Sequence, residues 1–194
     1  MSENENTGSG LGGTFGSKTK GSQISYGHPQ SKEILAHARE IMKESPTGEI
    51  LLKVMDHHRI PVHILKGAGE SGFSPDLNVI YLKLSGNIES AKPSLVLNLV
   101  KALREADLEY SGNKAPDPMK DLIEYAGFIH ARNLAALTTV CKFIKELTNS
   151  VYFQDLLDIL PKLGLNGVYK AYINGATKEE LYMEYAEAYN SRGS

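Results

Sequence analysis

The sequence predicts an α+β fold: a small sheet packed by helices, followed by a helical C-terminal half. Three observations carry this. Two stretches between residues 59 and 84 are rich in β-branched residues and read as strands. From residue 93 onward, apolar residues recur at helical spacing with few interruptions. Apolar residues are 41% of the 194 against 23% charged, enough for one buried core.

The elements follow in order. Residues 1–30 hold seven of the 18 glycines and only scattered apolar residues, among them Leu11, Phe15, Ile24 and Tyr26. Such a segment buries too little surface to offset its ordering entropy, so it reads as a disordered tail. A single α+β domain is expected over 31–190, with a helical extension from about 150. Ser31, then Ile34, Leu35, Ala38, Ile41 and Met42, gives an amphipathic helix. A second helix follows Pro46, with Ile50, Leu51, Val54 and Met55 on its apolar face. Strands are expected at 60–65 and 77–84, joined by a hairpin-like loop of Gly, Ser and Pro.

The remainder is helical. Pro93 and Ser94 open a helix that runs to about Tyr110. Asp117 before Pro118 is a helix-start signal, and a long helix is expected from there to about Leu147. Its apolar row is Leu122, Ala126, Ile129, Leu137, Val140, Ile144 and Leu147, with a second row at Ile123, Leu134 and Cys141. Two rows predict a broadly buried, central helix. Shorter helices are expected at 152–160 and 166–173. The last opens at Thr177 with Glu180 three residues on, a capping box.

Charge and cysteine content bound the function. Lys plus Arg number 21 and Asp plus Glu 23, a net charge of -2. That balance argues against nucleic-acid binding, which usually shows a basic excess. A lone cysteine, Cys141, excludes an internal disulfide and a Cys-rich metal site. No apolar run approaches the ~18 residues of a membrane span, and the N-terminus lacks a signal-peptide core. A soluble, cytoplasmic protein that engages a protein partner is the expectation.

Several motifs could carry chemistry. Gly67-Ala68-Gly69-Glu70-Ser71-Gly72 matches G-x-G-x-x-G, but Pro75 and a strand follow instead of the helix that would hold a pyrophosphate. Glu105 and Glu109 lie one turn apart on one helix face, where paired carboxylates bind metals or act as acid and base; a solvated face balanced by Lys101 and Arg104 is the plainer reading. His130 sits in an apolar helix, where histidine is more often a hydrogen-bonded core residue than a ligand. His37 and Glu40 make a surface pair, and His57, His58 and His63 straddle a turn. A zinc site built from those three would still need a further ligand.

The order of strand, Gly/Ser/Pro loop, strand 77–84, helix with Leu103-Arg104-Glu105, and second long helix resembles a bacterial family of zinc metallopeptidase-like proteins. This family is a domain of unknown function whose active members carry a His-Glu-Leu-Arg-His helix. There, two histidines one turn apart bind zinc and the glutamate activates water. The resemblance covers about residues 30–150 and implies a zincin-like core. Anchored on Leu103-Arg104, it places Lys101 at the first histidine, Ala102 at the glutamate and Glu105 at the second histidine. Ile129-His130-Ala131 resembles the stretch that supplies the third ligand, which puts His130 there.

The water-activating carboxylate is therefore missing, and a lysine, which repels a metal ion, replaces one ligand. The resemblance implies a degenerate member, a pseudo-metallopeptidase that acts by binding and carries no cofactor. In such a fold Glu105 and His130 are expected to approach within hydrogen-bonding reach, with Lys101 beside them. The alternatives are an active metal-dependent hydrolase that uses Glu105, Glu109 and His130 with zinc, or a helical protein–protein adaptor unrelated to peptidases. Tyr182, Tyr185 and Tyr189 line one face of the last helix and could form an interaction surface.

Overall fold

The computed structural model describes residues 28–190 apart from 68, 113 and 114, with side chains to residue 187. Of the expected tail, 1–30, residues 1–27 lie outside the described residues, whereas 28–30 are described and form the turn that leads into the first helix. The described chain enters at His28, whose N–H donates to the Ile64 carbonyl at 2.9 Å.

Two helices come first, α1 (Ser31–Lys43) and α2 (Pro46–His57). Ser45 caps α2 by accepting from the Gly48 N–H at 3.1 Å, with Pro46 at the first helical position. The turn between them is so tight that a Cβ on Gly48 would lie 2.1 Å from the Met42 carbonyl oxygen. Only glycine fits there.

The sheet has three strands in the order β1-β3-β2: β1 (Val62–Lys66), β2 (Gly72–Ser74) and β3 (Val79–Leu84). β1 and β3 are parallel, in register from Val62↔Ile80 to Lys66↔Leu84. The expected hairpin between them is therefore corrected. Parallel strands need a crossover, and residues 67–78 supply it, carrying β2 on the way. The hairpin is β2–β3, antiparallel with Gly72 opposite Tyr81. It turns through residues 75–78, where Asn78 takes φ 48° and its N–H reaches the Pro75 carbonyl. On β3, Ile80, Leu82 and Leu84 are buried while Tyr81 and Lys83 are half-buried, the expected alternation, although Val79 on the Tyr81 face is buried as well.

α3 (Ile88–Tyr110) begins one turn before the expected start at Pro93. The Asn87 side chain accepts from the Glu89 N–H at 2.9 Å and opens the helix there. Pro93 then lies inside the helix and leaves only the Glu89 carbonyl without its usual donor. α4 (Leu122–Glu146) begins later than expected. Asp117 accepts from the Met119 N–H and caps only a turn, whereas Asp121 accepts from the Glu124 N–H at 2.8 Å and caps the helix.

The central helix is α3, not α4. Leu95, Leu99, Val100, Ala102, Leu103 and Ala106 of α3 are essentially without exposure. α4 is buried only from Ala136 onward, and Leu122 and Ile123 in its first turn are 69% and 86% exposed. α5 (Phe153–Ile159), α6 (Asn166–Ile173) and α7 (Lys178–Asn190) complete the chain. At α7 the capping box is reciprocal: Thr177 N–H donates to Glu180 Oε2 at 2.7 Å, and Glu180 N–H to Thr177 Oγ1 at 3.2 Å. One apolar cluster joins α1, α2, the sheet, α3 and the C-terminal helices. The fold is α+β and mostly helical. No described helix is long and apolar enough to cross a membrane.

Candidate functional site

The motif positions of α3 meet the sheet at its β2 edge. β2 pairs with β3 on one side only. The Phe73 N–H donates to Glu105 Oε2 at 3.3 Å. A Cβ on Gly72 would lie 3.4 Å from that same oxygen, an ordinary van der Waals contact. The other carboxylate oxygen, Oε1, lies 3.0 Å from Lys101 Nζ, and the Glu105 side chain is only 15% exposed. One carboxylate thus serves a strand amide and an ammonium group. A carboxylate this far from water needs such partners.

Arg132 fixes α4 against this point. Its guanidinium donates to the Glu105 carbonyl at 2.7 Å and to Glu109 Oε2 at 2.8 Å. Glu105 and Glu109 share a helix face, as the spacing predicts, but each carboxylate goes to a different cation. Ala102 is fully buried. A methyl group therefore stands where the resemblance requires a water-activating carboxylate.

His130 is not part of this arrangement. It is exposed, its ring stands edge-on to Tyr182 with centroids 5.6 Å apart, and no hydrogen bond or ion pair joins it to Glu105 among the described residues. The expected Glu105–His130 approach is corrected. The α4 residue facing Lys101 and Glu105 is Asn133, which lines the same cavity. A signal for it was present in the sequence. The apolar row steps from Ile129 to Leu137 with a rung missing, and Asn133 fills that rung, four residues from each.

Two cavities flank the pair. One of about 370 Å³ is lined by Glu70, Ser71, Tyr81, Lys101, Glu105 and Asn133 among others. The second, of about 390 Å³, shares Glu70, Ser71 and Lys101 with it and extends between α3, α4 and the Leu163–Leu165 turn. Together they form a cleft along α3 with the ion pair in its wall.

A zinc ion does not fit the residues at the motif. Of the motif positions 101, 102 and 105, only Glu105 carries an acid, and an ammonium group already holds it at 3.0 Å. A catalytic zinc takes three protein ligands and water. Among the described residues no group of three His, Cys, Asp or Glu side chains could hold a metal ion.

The other singled-out residues go elsewhere. His37 packs edge-on to Tyr152, His58 stacks on Tyr110 with centroids 3.6 Å apart, and His63 stacks on Tyr81. No helix begins at Gly72, which lies in β2. Tyr185 packs against the core cluster, and Tyr182 is half-buried against α4, so both turn toward the domain. The Tyr189 side chain lies outside the described residues. Burial pushes the Cys141 thiol up to about 12, which removes it as a nucleophile. Comparison with family models, with curated proteins and with solved structures finds no match.

Proposed function

We propose that this chain is a non-catalytic protein of zincin-like descent that acts by binding in the cleft along α3. One observation carries the reading: the Lys101–Glu105 ion pair, at 3.0 Å, occupies the two positions that the resemblance assigns to metal-binding histidines. An ammonium group supplies the positive charge that a metal would bring, so the carboxylate stays compensated without one. The buried methyl of Ala102 agrees with this, because no general base stands between the two positions.

The hydrolase alternative needs Glu105, Glu109 and His130 to converge on one ion. Glu105 goes to Lys101, Glu109 to Arg132 and His130 to Tyr182. A partner that is a protein, met in the cytoplasm, is part of the proposal. The test is the metal content of the full chain purified without chelator. Zinc well below one ion per chain is the expected result. One zinc per chain, lost in Glu105→Gln, overturns the proposal in favour of the hydrolase.

A further inference from the structure

The larger cavity of the cleft combines an excess of hydrogen-bond donors with an apolar floor. Its volume of about 390 Å³ falls within the range of roughly 300–1,000 Å³ typical of small-ligand sites. Leu97, Leu137 and Val140, each buried, form the floor. The donors lie above it. Ser71 Oγ accepts from the Lys83 N–H at 2.9 Å, which leaves its own hydroxyl proton uncommitted among the described residues. Neither the Lys83 ammonium nor the Asn98 amide has a hydrogen-bond or ion-pair partner among the described residues. Lys101 gives one of its bonds to Glu105 and has others to give. Glu70, the carboxylate that lines this cavity, is exposed to water.

We infer that this cavity binds an organic monocarboxylate with an apolar chain. The Lys83 ammonium takes the carboxylate with help from Ser71 and Asn98, and the chain lies on Leu97, Leu137 and Val140. The charge count selects a monoanion. Among the described residues Lys101 is paired with Glu105 and Glu70 stands in water, so Lys83 is the one lining cation without a partner, and a doubly charged phosphate would leave at least one charge uncompensated above an apolar surface. The same chemistry is offered by a free organic acid and by the C-terminus of a polypeptide ending in an apolar residue. The inference rests on reading the cleft as a binding site, and not on a zincin-like origin.

The experiment is an NMR titration of the full chain, read at the Leu137 and Val140 methyl groups. The probes are N-acetyl-leucine, N-acetyl-leucinamide and hexanoate. The acids are expected to bind saturably, and the amide is not. Lys83→Gln should weaken acid binding about tenfold or more, as loss of a charge-assisted hydrogen bond does. Asn98→Ala should weaken it less, and serves if the lysine variant does not fold. Tighter binding of N-acetyl-leucine than of hexanoate identifies a chain terminus as the source, and the reverse identifies a free acid. Equal binding of acid and amide, no binding of either acid, or unchanged binding in both variants overturns the inference. Stoichiometric zinc in the purified chain would remove the non-catalytic reading without touching this titration, so the two fail separately.

Discussion

Lys101 Nζ lies 3.0 Å from Glu105 Oε1, one helical turn along α3. The order is lysine before glutamate, the less favourable direction for such a pair on an isolated helix. Helix propensity therefore does not account for it. The tertiary setting does: Glu105 also accepts from the β2 strand at Phe73, and its backbone carbonyl accepts from Arg132 of α4. Strand edge and two helices meet at one carboxylate-bearing residue.

A second carboxylate does comparable structural work at the other end of α4. Glu146 Oε2 accepts from the Thr47 N–H at 2.9 Å and also from Ser45 Oγ, and Oε1 accepts from Thr47 Oγ1 at 2.8 Å. Burial pushes this carboxyl up, but the Ser45 and Thr47 donors and the Lys142 ammonium outweigh it, so its pKa lies below the ordinary value. A carboxyl depressed in the fold stabilises it above the unfolded pKa, and that contribution is lost as pH falls through the folded value. Glu146→Gln should cost about 1–3 kcal/mol at pH 7. The gap to wild type should close below about pH 4, near and under the usual glutamate range. Urea unfolding across that pH range checks both. A gap that persists unchanged at low pH would refute the account.

The two ends of α4 should respond differently to substitution. Phe143 is fully buried, and its replacement by alanine should cost about 3–5 kcal/mol. Ile123 is 86% exposed, and Ile123→Ser should stay within about 0.5 kcal/mol of wild type. Denaturant midpoints at constant slope are the measurement. A large loss for Ile123→Ser would mean that the first turns of α4 are packed in solution.

Thr177→Ala removes one half of the capping box of α7 and should cost about 1 kcal/mol. Amide exchange should accelerate in the first turn of α7 and not in α3. Equal acceleration in both helices would contradict a local cap.

Cys141 should resist a thiol reagent at pH 8 in the folded chain, because burial holds its thiol at about 12. Rapid labelling without denaturant would show that α4 opens readily around it.

The sequence was most informative where local chemistry decides the structure. The cap at Thr177 and most of the alternation on β3 were legible because side chains within a few residues determine them. Topology was not. β1 and β3 pair in parallel because the intervening chain forms β2, and a three-residue strand carries too little pattern to be seen. Asp117-Pro118 and Asp121-Leu122 are both acceptable helix starts, but Asp117 caps only a turn and Asp121 caps the helix. At the site, the pairing of Lys101 with Glu105 follows from helical spacing, but its α4 neighbour does not. His130 is the titratable residue of that stretch but packs on Tyr182, whereas Asn133 occupies the rung that faces α3.

In the proposed reading, Lys101 is the counter-charge of Glu105, in place of a metal. Unfolding free energies of wild type, Lys101→Met, Glu105→Gln and the double variant, each with and without added zinc, test it most directly. The expected result is a favourable coupling of about 1 kcal/mol between the two side chains, near the upper range for partly exposed pairs, and no stabilisation of wild type by zinc. Absence of coupling, together with a zinc-dependent rise in stability that Glu105→Gln abolishes, would contradict it.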